Sequence, residues 1–210
     1  MILKAASPGV PGRRIPAWRA YDSSVDLRHF IRHYDADLPA DLCARMIDSF
    51  NGLSRFHQVN GRTERRGLED SAWTEINVTK LSEPSLQGFF RQRISLALAR
   101  YNAEIGLVPI AVPDSPRTAD LILKRYRTGG EEGFQTHFDS INEVANRYLV
   151  FLWYLNDVDE GGETDFPQLG LKVTPRAGRL VVFPPYWMYQ HAGVAPRSSD
   201  KYILSTYLLF

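Results

Sequence analysis

Tyr148-Leu-Val-Phe-Leu-Trp-Tyr-Leu155, closed by Asn156-Asp157 and followed by Gly161-Gly-Glu-Thr-Asp-Phe166, is the stretch that decides the architecture. It is short, rich in aromatic and branched residues, and bounded by turn formers, which is how a β-strand reads. Three other stretches share that character: Leu121-Ile-Leu-Lys-Arg-Tyr126, Arg179-Leu-Val-Val-Phe183 and Tyr202-Ile-Leu-Ser-Thr-Tyr-Leu-Leu-Phe210. Gly129-Gly130, Pro175, Gly178 and Pro184-Pro185 punctuate them. This rhythm predicts a β-sandwich or barrel between about residues 119 and 210, mainly β, with helices covering one sheet from outside.

The helices come from the front of the chain. Pro39 to Phe50 starts with a proline in the first turn and stops before Asn51-Gly52. A longer helix is predicted from about Pro84 to Ile105. Leu86, Phe90, Ile94, Ala97, Tyr101 and Ile105 recur every three or four residues and form one apolar stripe. Residues 1–20 carry Pro8, Pro11 and Pro16 with Arg13, Arg14 and Arg19, and read as a flexible N-terminal extension. Residues 21–210 then form a single domain.

Bulk properties exclude several function classes. A net charge of +1 gives no electrostatic basis for nucleic-acid binding, and no apolar run approaches a membrane span or a signal peptide. The single cysteine, Cys43, rules out an internal disulfide framework and fits a reducing compartment, with cytoplasm as the expectation.

The residues with chemistry are His137, Asp139 and His191, with Lys201 ten positions on. Two imidazoles and one carboxylate can hold Fe(II) on one face and leave the other open. In an extended strand, His137 and Asp139 point to the same side. Lys201 could hold the far end of an anionic co-substrate. The His-x-Asp pattern alone is weak, because His33-Tyr34-Asp35 repeats it, with His57 downstream and Arg66 nine residues later. Local context speaks against that rival: His33 and Asp35 precede a helix start, and 57–67 reads as a polar loop. His29 and His33 would share a helix face, but no glutamate completes a zinc-peptidase motif.

The neighbourhood separates the two sets. Tyr126-x-x-Gly129, Phe134-x-x-His137-x-Asp139, Tyr154-Leu-Asn-Asp-Val, Gly161-Gly-Glu-Thr-Asp-Phe166, Pro175 to Phe183, His191-Ala-Gly-Val and Lys201-Tyr-Ile-Leu-Ser-Thr follow one another in order. From Ala119 to Phe210 the sequence resembles the prolyl 4-hydroxylase-like branch of the 2-oxoglutarate- and Fe(II)-dependent dioxygenases.

That resemblance implies a double-stranded β-helix, or jelly-roll, with Fe(II) held by His137, Asp139 and His191. It implies 2-oxoglutarate as co-substrate with its distal carboxylate on Lys201, aided by Ser205, Tyr126 and Tyr154. It further implies O2 as oxidant, ascorbate as an optional reductant, succinate and CO2 as products, and hydroxylation of an unactivated C–H bond. The acceptor would be a prolyl residue of a peptide or protein, or an amino-acid-like small molecule. No catalytic group beyond the metal ligands is required. Taken as residues alone, Lys201 has a lesser alternative as a solvated strand-end lysine, and Tyr126 and Tyr154 could equally be core aromatics.

The chain departs from its relatives at Phe134, where a tyrosine is common, at Val150 (threonine) and at Tyr207 (often tryptophan), and two extra residues fall within 130–133. Residues 57–80 read first as a solvated loop with one buried Trp; the resemblance also allows a loop over the mouth, with Arg65 or Arg66 meeting an anionic substrate and Trp73 shielding the site. A non-catalytic jelly-roll binding module and a cupin-type metalloenzyme without 2-oxoglutarate are the competing readings.

Overall fold

The computed structural model describes residues 26–62, 64, 67–106, 117–129 and 131–210. The expected N-terminal extension, with its basic cluster, lies outside these residues. The front half contributes β1 (Arg32–Tyr34), α1 (Ala40–Gly52), β2 (Gln58–Gly61), β3 (Ala72–Asn77), α2 (Val78–Leu81) and α3 (Pro84–Ile105). Then follow β4 (Arg117–Thr118), β5 (Ile122–Tyr126), β6 (Phe134–His137), β7 (Arg147–Tyr154), β8 (Thr164–Phe166) and β9 (Leu171–Val173). Last come β10 (Leu180–Phe183), β11 (His191–Gly193) and β12 (Lys201–Leu209).

The strands form two antiparallel sheets. The larger has the order β1-β10-β7-β12-β5-β3-β2, with β4 on the end of β12, and the smaller has the order β6-β11-β8-β9. This is the expected jelly-roll.

The apolar run of β7 now has a reason. Leu149, Phe151 and Trp153 enter the core shared with α1 and α3, while Val150, Leu152 and Tyr154 enter a second core shared with the small sheet. Both faces of the strand are buried, so alternation in hydrophobicity disappears. β12 alternates in the same way. Tyr202, Leu204 and Leu208 face the helices, while Lys201, Ile203, Ser205 and Tyr207 line a cavity between the sheets.

α3 begins and ends where its apolar stripe does, with Gly106 in the left-handed region (φ 64°) as its C-cap. α1 runs two residues further than expected, through Asn51-Gly52. Its end is made by Leu53, whose N–H reaches the carbonyls of Ser49 and Phe50.

Three expectations are corrected. The front half is not only helical, because β1, β2 and β3 extend both edges of the large sheet. The 57–67 segment is not all loop: Gln58–Gly61 is an edge strand, with Gln58 and Val59 exposed, so it carries no apolar alternation. It ends at Gly61 (φ 105°), where a Cβ would lie 2.1 Å from the Ser71 carbonyl oxygen. Finally, His29 lies in a short 3-10 turn and His33 on β1, so they share no helix face.

Candidate metal centre and co-substrate cavity

β6 and β11 pair in antiparallel register with His191 opposite His137. The two imidazole centroids are 4.4 Å apart. Asp139 does not lie on the strand, as expected, but two residues beyond the end of β6. It is brought back by hydrogen bonds from its own N–H and that of Ser140 to the carbonyl of Pro185, both 3.0 Å. One ligand atom from each of the three residues falls within a 4.8 Å group, and these are the only such three among the described residues.

Each imidazole is oriented by its far nitrogen. Nδ1 of His137 lies 2.8 Å from the carbonyl oxygen of Gln135, and Nδ1 of His191 lies 3.1 Å from that of Tyr189. A carbonyl can only accept, so Nδ1 carries the proton and the lone pair of the neutral ring is on Nε2. Those Nε2 atoms lie 3.5 Å from Oδ1 (His137) and Oδ2 (His191) of Asp139. Burial pushes the His191 pKa down to about 4, and His137 adds to this while Asp139 opposes it. Burial alone would raise Asp139, but the two imidazoles and Arg147 outweigh it and hold the carboxyl well below its usual range.

A buried anion beside two lone pairs is costly unless something positive sits among them. Oδ2 of Asp139 is buried and has no hydrogen-bond partner. The set therefore fits a divalent cation. Imidazole and carboxylate donors with carbonyl-anchored histidines suit Fe(II).

The same cavity is lined by Lys201, Ser205, Tyr126, Thr164 and Lys124. Lys201 is only 2% exposed, which removes its reading as a solvated strand-end lysine. Its Nζ lies 5.0 Å from the ring centre of Tyr126 and 5.8 Å from that of Tyr154. Burial pushes its pKa down to about 7, opposed by Glu163 and reinforced by Lys124.

Tyr154 corrects an expectation. It does not line the cavity, and its hydroxyl is bound 2.5 Å from Thr164 Oγ1 and donates to the Val173 carbonyl at 3.0 Å. It also accepts from the Thr164 N–H at 3.2 Å. The Tyr154 hydroxyl ties the two sheets together, while its ring centre stays 5.8 Å from Lys201 Nζ. Tyr154→Phe leaves these groups short of a partner, so it should cost about 1–3 kcal/mol in thermal or denaturant unfolding. Its Kd for 2-oxoglutarate should stay within about threefold of wild type; a larger rise would return Tyr154 to the co-substrate.

Trp73 belongs to β3 rather than to a lid. It stacks on Phe134 (4.6 Å between centroids), which stacks on His137 (3.9 Å). Arg65 and Arg66 lie outside the described residues. The rival set does not assemble: Asp35 is bound to Arg179, and His57 Nε2 donates to the Phe50 carbonyl. Residues that sequence reading left without a role are Arg147, Lys124 and Tyr207. Lys124 and Tyr207 could have been found by counting every second residue from Tyr126 and Lys201. Arg147 carried no such signal.

The fold is a jelly-roll that carries a centre of two histidines and one aspartate. Residues 121–209 match the family model of the 2OG-Fe(II) oxygenase superfamily. Human prolyl 4-hydroxylase subunit alpha-1 is 26% identical over 149 residues, covering 61% of this chain and 28% of the relative. The chain thus spans little more than a quarter of that relative's length. Chicken prolyl 4-hydroxylase subunit alpha-2 is 34% identical over 74 residues, 31% of this chain and 14% of the relative.

Among solved structures, the viral collagen prolyl hydroxylase of Paramecium Bursaria Chlorella virus-1 superposes with a TM-score of 0.59 at 20% identity. The match covers 86% of this chain and 95% of that one. A prolyl hydroxylase from Trichoplax adhaerens, in complex with a hypoxia inducible factor peptide fragment, gives 0.65 at 16% identity, covering 86% and 84%. These likenesses establish the shared fold. Among the described residues, no helix is long and apolar enough to cross a membrane.

Proposed function

We propose that this chain is a 2-oxoglutarate- and Fe(II)-dependent oxygenase that hydroxylates an unactivated C–H bond, with a prolyl residue of a peptide as acceptor. The observation that carries the reading is a buried lysine in the metal cavity. Among the described residues, no carboxylate lies within ion-pair distance of Lys201, yet it lines the same cavity as His137, Asp139 and His191. A dicarboxylate that spans from the metal to the ammonium satisfies both ends. With Fe(II), 2-oxoglutarate and O2 bound, the centre supplies an oxidant strong enough to break such a bond, releasing succinate and CO2.

The work of the chain's own residues is to bind, orient and exclude water. His137 and His191 present Nε2, Asp139 presents Oδ2, and the carbonyls of Gln135 and Tyr189 keep both rings aimed. Lys201 meets the distal carboxylate, and Ser205, two residues along on the same face, adds a hydroxyl. Tyr126 closes the cavity beside them. Phe183, Phe134 and Ile203 wall the cavity with apolar surface and limit side reactions with water.

Support for a peptidyl acceptor is the naming of the relatives as prolyl hydroxylases and the peptide complex of one of them. A small amino-acid-like acceptor is the alternative outcome. The single cysteine supports a reducing compartment such as the cytoplasm, which fractionation tests. The decisive assay incubates the protein with Fe(II), ascorbate and labelled 2-oxoglutarate and measures succinate, with mass spectrometry of proline-containing peptides for an added oxygen. Succinate formation, even without acceptor, is the expected result. No succinate and no spectral change on anaerobic addition of co-substrate would leave a binding module. Turnover independent of 2-oxoglutarate would leave a cupin-type enzyme.

A further inference from the structure

Solvent reaches the cavity from the metal end. Lys201 is 2% exposed, whereas the His137 side chain is 18% exposed. Two large apolar side chains flank that end, on the segments that carry the metal ligands. Ile141, 46% exposed, comes two residues after Asp139, and Trp187, 66% exposed, comes four residues before His191. Neither stands on a loose loop. The N–H groups of Asp139 and Ser140 both donate to the Pro185 carbonyl at 3.0 Å, which ties the two segments together. The turn after Ile141 is closed by the Val144 N–H on the Ile141 carbonyl (3.0 Å) and by Ser140 Oγ on the Ala145 carbonyl (2.9 Å). It takes Asn142 into the left-handed region (φ 50°), which asparagine tolerates better than most residues. The turn around Trp187 is closed by the Tyr189 N–H on the Tyr186 carbonyl at 2.8 Å. The fold thus holds exposed apolar surface in place beside the metal ligands, the mark of a contact site.

We infer that Ile141 and Trp187 form the acceptor platform of this site and select a polypeptide with an apolar residue beside the target proline. The inference rests on the oxygenase reading of the same site. An acceptor carbon must reach the metal through this mouth, so the chain that carries it crosses the surface where these two side chains stand. A proline ring packs well on an aromatic face, and an extended prolyl segment loses little conformational freedom when it docks. A tryptophan buried by a partner is also the side chain that most often dominates the binding energy of a protein surface. Trp73 offers no such face: it is 2% exposed and stacked on Phe134, which is stacked on His137. Acceptor recognition therefore falls to the segments next to Asp139 and His191 rather than to Trp73.

The test reads Trp187 itself. In the full chain with Trp18→Phe, Trp187 is the remaining tryptophan that solvent reaches, since Trp73 and Trp153 are 2% and 0% exposed. The protein is loaded anaerobically with 2-oxoglutarate and with Co(II), a stand-in for Fe(II) whose visible spectrum reports its ligands. Two capped peptides are titrated in, each with one central proline, flanked by leucines in one and by glutamates in the other. The leucine peptide should shift Trp187 emission to the blue and protect it from acrylamide, and the glutamate peptide should bind at least about tenfold more weakly. Calorimetry should show the leucine peptide weakened about tenfold by Trp187→Ala and about threefold by Ile141→Ser, in variants whose Co(II) spectrum still responds to 2-oxoglutarate. The emission readout needs no substitution at the platform, so it stands should either variant not fold. Emission that neither peptide moves at millimolar concentration overturns the inference, as does equal binding of both peptides. Emission that changes with protein concentration alone assigns the patch to a second copy of the chain and overturns it too. A Co(II) spectrum that ignores 2-oxoglutarate overturns the oxygenase reading and the inference with it.

Discussion

Lys201→Met should raise the Kd for 2-oxoglutarate at least about 100-fold and leave the affinity for Fe(II) or Co(II) within about threefold. The ammonium lies 5.0 Å from the ring centre of Tyr126 in the cavity and 5.8 Å from that of Tyr154 behind it, with no carboxylate in ion-pair range among the described residues. Removing it strands the distal carboxylate of the ligand in a place from which water is largely excluded, where an uncompensated charge is expensive. A metal held by His137, Asp139 and His191 would not feel the change.

Two further readouts belong to the same variant. Burial has lowered the Lys201 pKa to about 7 in the free protein, and binding of a dianion demands the protonated form. Affinity should therefore fall as pH rises above 7, by up to about tenfold per pH unit, and this dependence should vanish in Lys201→Met. Stability follows the opposite trend. Between pH 7 and the ordinary lysine value the unfolded chain carries a proton at this site that the folded chain does not, so the lysine's contribution to stability improves as pH rises. The ligand-free methionine variant should accordingly melt above wild type, with the widest gap below pH 7. Isothermal titration across pH and thermal melts check all three. An unchanged Kd for 2-oxoglutarate removes Lys201 from its assigned role, and equal losses of metal and co-substrate affinity would make it part of the metal site.

Asp139→Asn is the second large effect. Metal affinity should drop by at least about 100-fold, while the metal-free protein remains as stable as wild type or becomes more so. The side chain keeps its shape, and its carbonyl oxygen still accepts from Tyr207. The new NH2 group can donate toward Nε2 of His191, which lies 3.5 Å from Oδ2 in wild type. The one carboxylate oxygen without a partner, Oδ2, is exchanged for a neutral donor that has one. Wild type should gain thermal stability on addition of Co(II), by linkage to binding, and the variant should gain none at the same concentration. A variant that still binds Co(II) within tenfold of wild type would place the metal elsewhere.

How far the sequence could be read depends on whether a feature is periodic. The apolar stripe of α3 and the alternation of β12 repeat at the spacing of their own elements, so α3 could be bounded in advance, and counting by twos from Lys201 reaches the cavity-facing residues 203, 205 and 207. His137, Asp139 and His191 were recognisable because three ligands and their surroundings occur in a fixed order. What periodicity does not encode was lost. β2 is an exposed edge strand with no apolar rhythm. The Tyr154 hydroxyl looked available because its partners, Thr164 and Val173, come from the opposing sheet. The Tyr207 hydroxyl that donates to Asp139 comes from 68 residues away. Each of these is a tertiary contact between groups that no local pattern links.

The position of β12 has a consequence for how the protein comes into being. Its partners β7 and β5 both precede it in the chain, and it lies between them in the middle of the large sheet. During synthesis, those strands must wait with open, hydrogen-bonding edges until residues 201–209 leave the ribosome and fill the gap. Until then the nascent chain offers two sticky ladders to any other strand in the cell. Closing them is a long-range event of the kind that makes folding slow. The strand that completes the sheet also carries Lys201, so the window of greatest aggregation risk closes in the same step that finishes the cavity.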